Sequence, residues 1–184
     1  MDWVRDAASK RKFESFVTET SDPLLRTGYL MTGDVRDAED LVQETFLRVA
    51  RQWYRVRSMD HPVAYARRIL MNVVLDDAGR RSRRQAELGT QGTGIEAADD
   101  AAARALREVD DLAEFRWALA QVPARQRAVL VLRYWADLPV AEVAEILGCS
   151  AGTVTSTASR AAARLAEIIT SSRSSATTPI TGPS

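Results

Sequence analysis

The apolar residues of this chain recur at helical spacing almost throughout, and no stretch alternates convincingly with period two. That pattern excludes a sheet-based fold and predicts an all-α chain. Phe13, Phe16, Val17 and Thr20 keep the i, i+3, i+4, i+7 spacing of one helix face. Asp22-Pro23 reads as an N-cap followed by Pro at the first helical position, opening a second helix that ends near Thr32-Gly33. Asp34 can cap a third helix running to about Trp53. Pro62 opens a fourth that runs to about Ala78, with Gly79 marking its end. Helical patterning resumes at Ala101 and passes through Leu112, Phe115 and Leu119 to Val122-Pro123. It then runs from Arg125 to Trp135, and two further helices are expected over 139–147 and 151–169.

One stretch interrupts this pattern. Residues 85–100 hold Gly89, Gly92 and Gly94 and few apolar side chains, which is linker composition. The chain therefore divides into an N-terminal tail (1–9), a small helical domain (10–84), an acidic linker with a connecting helix (85–111), a second small helical domain (112–170) and a Ser/Thr/Pro-rich tail (171–184) expected to be disordered. At 184 residues there is room for two such domains.

Composition narrows the chemistry. The single cysteine, Cys149, and the single histidine, His61, leave no disulfide, no thiolate zinc site and no metal site or cofactor to expect. Cys149 reads as a small buried hydrophobe. No run approaches 18 apolar residues, and the N-terminus has no apolar h-region, so a cytoplasmic protein is expected. The 25 basic residues balance 25 acidic ones, a neutrality that would argue against a nucleic-acid binder. The charges are segregated, however: net −4 over 1–47, +7 over 48–84, −6 over 85–114 and +3 over 115–184.

Three constellations carry the functional reading. Over 34–53, Ala38, Val42, Thr45, Phe46, Val49 and Trp53 share one face. Arg36, Asp37, Asp40, Gln43, Glu44, Arg48 and Arg51 take the other. Leu47 lies on the polar arc, where it suits a basic partner surface, although single exposed leucines are common. Over 62–78, Val63, Ala66, Ile69, Leu70 and Val73 face inward. Tyr65, Arg68, Asn72, Leu75 and Asp76 lie on the far side, leading into Arg80, Arg81, Arg83 and Arg84. A stacking aromatic, an amide and a run of guanidinium groups fit single-stranded nucleic acid; the bland alternative is a solvated basic helix end. Over 139–165, Val143, Ala144 and Leu147 face inward, Gly148 turns the chain and Ser150 caps the next helix. That helix buries Val154, Ala158, Ala161, Leu165 and Ile168. This is helix-turn-helix patterning. Its outer face of Gly152, Thr153, Thr155, Ser156, Ser159, Arg160 and Ala163 can enter a major groove, and Arg160 and Arg164 can reach phosphates.

The runs DAEDLVQETFLRVARQW (37–53), AYARRILMNVVLDDAGRRSRR (64–84) and LAQVPARQRAVLVLRYWADLPVAEVAEILGCSAGTVTSTASRA (119–161) together resemble a bacterial sigma factor of the extracytoplasmic-function (ECF) class, within the sigma-70 family. LLRTGYLMTGD (24–34) narrows the likeness to an actinobacterial SigE-like group. The resemblance spans residues 13–169. It implies that Asp37, Asp40, Gln43, Glu44 and Leu47 dock on core RNA polymerase. It implies that Tyr65, Arg68, Asn72, Arg80, Arg81, Arg83 and Arg84 melt and read the −10 promoter element, with Asn72 facing an extruded base. Thr153, Thr155, Ser156, Ser159, Arg160 and Arg164 would read the −35 element as duplex. Promoter DNA, core polymerase and an anti-sigma factor are the implied partners. A linker of 85–100 spans roughly 22 Å as a coil and about 55 Å fully extended, against about 34 Å for one turn of DNA. Reading two elements more than a turn apart therefore favours an extended linker.

One departure stands out. Relatives read GTVKS where this chain reads GTVTS (152–156), and Thr157 stands where many have Arg. Each lost phosphate contact lowers the salt slope of DNA binding by about one. A free-standing helix-turn-helix regulator is the alternative, and it predicts tight duplex binding without polymerase. An enzyme is disfavoured. Asp76 and Asp77 diverge by about 100° on a helix, and Asp99-Asp100 falls in the linker, so neither pair is preorganised.

Overall fold

The computed structural model describes residues 6–87 and 110–176, and among these there are helices and turns but no strand. Helix α1 (Ala7–Thr32) is capped by Asp6, whose side chain accepts from the Ala8 N–H at 3.0 Å. It runs unbroken through Pro23, so the expected second helix at Asp22-Pro23 does not begin there. The proline removes one N–H donor to the carbonyl of Glu19, but both residues face solvent, where water can satisfy that oxygen. Phe16, Thr20, Leu24, Thr27 and Met31 form one buried stripe along the helix, and its burial outweighs the local break.

Helix α2 (Val35–Arg51) begins as expected at Asp34, whose carboxylate accepts from the Asp37 N–H at 2.9 Å. It stops at Gln52, and a single turn, α3 (Trp53–Val56), follows. Trp53 is buried against Phe13 and Phe16, and its indole N–H donates to the Ser9 carbonyl at 3.2 Å. Arg57 donates to the Ser9 hydroxyl at 3.1 Å. Residues 7–9 of the expected N-terminal tail are thus helical, and Ser9 is part of the packing.

Helix α4 (Pro62–Glu87) continues past Ala78 and Gly79. Asp77 holds the extra turns by ion pairs to Arg80 and Arg81 one turn on. Besides Ala66, Ile69, Leu70 and Val73, this helix buries Met71 and Val74, and Leu75 is half-buried against the core rather than on an open far side.

The second half comprises α5 (Asp110–Ala120), α6 (Ala124–Leu130) with a π-helical turn at Val131–Trp135, α7 (Val140–Leu147) and α8 (Ala151–Ala176). Helix α8 extends well beyond 169. The Ser172 hydroxyl and the Arg173 guanidinium both donate to the carboxylate of Glu114, so residues 171–176 are helical where a disordered tail was expected. The expected linker residues 88–109 and tail residues 177–184 lie outside the described residues.

The two halves share one apolar core. Helices α6 and α7 contact α4, and α5, α6 and the π turn contact α1. This explains why α4 is buried on more sides than its own pattern indicates. Arg127 sits at the junction. Its guanidinium donates to the carbonyl of Met31 at the end of α1, and to Ala120 and Val122 beyond it. Burial pulls its pKa below the ordinary guanidinium value. Arg67 pairs with Glu142 at 3.6 Å, and the Arg116 guanidinium lies 4.5 Å from the centre of the Tyr29 ring.

Candidate nucleic-acid interface

The polar face of α2 is built by its amphipathic pattern. Ala38, Val42, Thr45 and Val49 are buried on one side, which turns Asp40, Gln43 and Leu47 to solvent on the other. Leu47 is 51% exposed, a large apolar side chain among carboxylates and amides. The other two proposed docking residues are already engaged. Asp37 accepts from Arg81 at 2.6 Å, and Glu44 accepts from the Arg48 Nε at 2.7 Å. The hydrogen bond from Arg48 holds the Glu44 carboxyl below its ordinary pKa, against a small opposing effect of burial.

Where α2 ends, it faces the first half of α4 across a cavity of about 420 Å³. Glu44, Arg48, Arg51 and Gln52 line one wall; Tyr65, Ile69 and Asn72 line the other. The Tyr65 phenol donates to Gln52 Oε1 at 3.1 Å across it. Arg68 lies outside this cavity, in a larger cleft of about 1,110 Å³ that α4 forms with α7, where Glu142 and Glu145 stand on the facing wall.

The four arginines at the end of α4 are not equivalent. Arg83 and Arg84 are exposed. Arg80 reaches Asp77 at 3.4 Å, and Arg81 is held by both Asp77 and Asp37 at 2.6 Å. The hydrogen bond that Arg81 donates to the Asp37 carboxylate raises the Arg81 pKa above its ordinary value.

In the second half, Gly148 has φ +62°, a left-handed conformation that side-chain-bearing residues rarely adopt, and it turns α7 into α8. Ser150 caps α8 by accepting from the Thr153 N–H at 3.1 Å. Thr153, Thr155, Ser156, Ser159, Arg160 and Arg164 are all exposed on α8. The hydroxyls of Thr155 and Ser156 donate back to carbonyls of their own helix, leaving their oxygens free to accept. Cys149 is half-buried against the core.

This order, a first helical half followed by a helix-turn-helix half, matches known proteins. A family model described as Sigma-70 region 2 matches residues 16–84, and one described as Sigma-70, region 4 matches residues 112–165. The RNA polymerase sigma-E factor of Streptomyces coelicolor is 35% identical over 156 residues, covering 85% of each chain. The chain is an ECF sigma factor of the sigma-70 family. The ECF RNA polymerase sigma factor SigE of Mycolicibacterium smegmatis is 32% identical over 158 residues, 84% of this chain and 60% of that one. Among solved structures, the sigma factor RpoE of Bartonella quintana, in complex with the anti-sigma factor NepR, matches with a TM-score of 0.69 and 25% identity, over 87% of this chain and 98% of that one.

Sequence reasoning placed Tyr65 and Asn72 on one helix stripe but assigned no role to Gln52, Arg48 or Arg51 in the cavity of this sigma factor, or to Arg127 at the junction. Each acts across a helix boundary, where periodicity carries no signal. Among the described residues there is no cluster of His, Cys, Asp and Glu able to hold a metal, and no helix long and apolar enough to cross a membrane.

Proposed function

We propose that this sigma factor acts in the cytoplasm as a non-enzymatic subunit that gives core RNA polymerase its promoter specificity. Asp37, Asp40, Gln43, Glu44 and Leu47 dock on the polymerase. Tyr65, Arg68 and Asn72, followed by Arg80, Arg81, Arg83 and Arg84, hold the −10 element as single strand. Thr153, Thr155, Ser156, Ser159, Arg160 and Arg164 read the −35 element as duplex.

The observation that carries this reading is the cavity between α2 and α4, with Tyr65 and Asn72 on one wall and Arg51 beside the Arg48–Glu44 ion pair opposite. A base inside a duplex cannot present its Watson–Crick edge, so a cavity of this kind takes an extruded nucleotide. Tyr65 supplies a face for stacking, Asn72 supplies amide hydrogen bonds, and the arginines offset phosphate charge. Capturing the extruded base favours the open strand over the closed one, and promoter opening follows by mass action. A protein partner is also part of the reading. The neighbour RpoE was solved with an anti-sigma factor. An apolar groove of about 490 Å³ here, rimmed by exposed Tyr134 and Trp135, suits a helix of such a partner.

The test is transcription in vitro from fragmented genomic DNA by core polymerase with and without the protein, followed by sequencing of transcript 5′ ends. New start sites sharing two upstream elements are expected only with both components. Sequence-specific duplex binding by the protein alone, with no new starts in the presence of core, would establish the free-standing regulator instead. Because Thr155 stands where relatives carry Lys, the −35 element should contribute less than the −10 element, with a shallower salt dependence.

A further inference from the structure

The cavity between α2 and α4 contains one side-chain bond that crosses it, and it joins Tyr65 to a residue on which no DNA contact has been placed. Gln52 closes α2, with φ −116° and ψ 16°. Its backbone is fixed on both sides. The Gln52 N–H bonds to Val49 O at 3.0 Å, and its own carbonyl accepts from Arg55 and Val56 at 2.9 and 3.0 Å. The next residue, Trp53, is among the most buried aromatics in the molecule. Gln52 is therefore an exposed side chain on a backbone held by three hydrogen bonds, which is what a positioning group requires.

Tyr65, by contrast, sits near the start of α4, just after the turn at 57–61. Its ring is half-buried against the core and lines both the cavity and the neighbouring cleft, so the phenol end is the part left to be fixed. A stacking platform that swings loses affinity to the entropy of fixing it at each binding event.

Resting on the base-capture reading above, we propose that Gln52 is a positioning residue for −10 recognition. It accepts the Tyr65 phenol proton through Oε1 and so holds the ring as a fixed wall against which one extruded nucleobase stacks. Once Oε1 is occupied by the phenol, the Gln52 amide retains two N–H donors beside the same cavity. The Tyr65–Gln52 pair thereby orients a platform and adds donors at its edge. Base selectivity at one promoter position depends on the pair and is insensitive to either member's contribution to folding.

The experiment uses the full chain assembled with core polymerase and a fork-junction DNA library randomised over the six nucleotides of its single-stranded non-template segment. Bound DNA is recovered and sequenced, and the readout is the base-enrichment profile at each position. Wild-type protein should enrich one base strongly at one position. Tyr65→Phe keeps the ring and loses the hydroxyl; Gln52→Leu keeps most of the side-chain bulk and loses the acceptor. Each should flatten enrichment at that same position by about three- to tenfold, and the double variant should flatten it no further. Gln52→Glu, whose carboxylate still accepts from the phenol, should restore the profile even if overall DNA affinity falls. The proposal is overturned if Gln52→Leu leaves the preferred position intact, or if the two single variants flatten different positions or act additively. If the wild-type protein shows no preferred base anywhere, the base-capture reading fails and this proposal with it. Because the readout is a ratio among bound sequences, a partly unfolded variant does not mimic either result.

Discussion

Arg81, near the end of α4, places Nη1 2.6 Å from Oδ2 of Asp37 in the first turn of α2. One of these side chains belongs to the proposed DNA-contacting run, the other to the proposed polymerase-docking face. Each neutralises the other in the free protein, and Asp77 shares the same guanidinium. A basic polymerase surface and a DNA phosphate would each compete for one member of the pair.

Arg81→Ala should therefore strengthen core binding while weakening DNA binding. The pair is about half solvent-exposed, so its contribution is of order 0.2–1 kcal/mol, or up to about fivefold in core affinity. Fluorescence titration of labelled protein with core polymerase reads this directly. Unchanged or weaker core affinity would show that Asp37 takes no part in docking.

Leu47→Asp should weaken core binding by tenfold or more, on the order of 1.4 kcal/mol, because it places a charge in the middle of a docking patch. At 51% exposure Leu47 supports little of the fold, so the melting temperature should hold within about 2 °C. A marked loss of thermal stability would place the side chain in the packing instead.

Asn72→Ala should slow promoter opening and leave core affinity intact, since Asn72 is exposed on the α4 wall of the cavity whereas the proposed docking residues all lie on α2. Permanganate footprinting of the −10 region, run beside the core titration, separates the two effects. A parallel loss of core binding would refute this division of labour.

Arg127→Met should destabilise the whole chain. It removes charge-assisted bonds to the carbonyls of Met31, Ala120 and Val122 and unfastens α1 from the second half. The cost is about 2–4 kcal/mol, which lowers the melting temperature by roughly 5–15 °C. A melting curve unchanged from wild type would mean that the two halves are held by their apolar contact alone.

The end of α8 should respond to acid. Hydrogen bonds from Arg173 and Ser172 hold the Glu114 carboxyl below its ordinary value of 4.5. A depressed carboxyl contributes stability that is fully present above the unfolded value and is lost as pH falls through the lower folded one. The protection factors of residues 169–173, taken relative to the intrinsic exchange rate at each pH, should therefore fall as the pH drops below 4.5. Glu114→Gln should lower the same protection factors at pH 7. Exchange that ignores both changes would show that the contact does not hold the helix end.

Local signals were legible where they act over one turn. Asp34 and Ser150 cap the helices they were expected to cap, Gly148 turns between α7 and α8, and Leu47 is exposed where its helix arc placed it. Tyr65 and Asn72 share a cavity because they are seven residues apart on one helix. Pro23 and Gly79 carry local boundary signals yet lie inside α1 and α4, where the buried stripe of α1 and the Asp77 ion pairs of α4 outweigh them.

The sequence by itself determined the helical class, the two-part order, the caps and the turn of the helix-turn-helix. Spacing and capping are short-range and additive, and they survive in any tertiary context. Only the tertiary structure decided that α1 continues through Pro23, that α4 is buried between two halves, that Arg127 fastens those halves, and that Gln52 meets Tyr65. A buried stripe can offset a local helix penalty of about 1–3 kcal/mol, and contacts between residues 13 or 96 positions apart depend on how helices dock rather than on how they repeat.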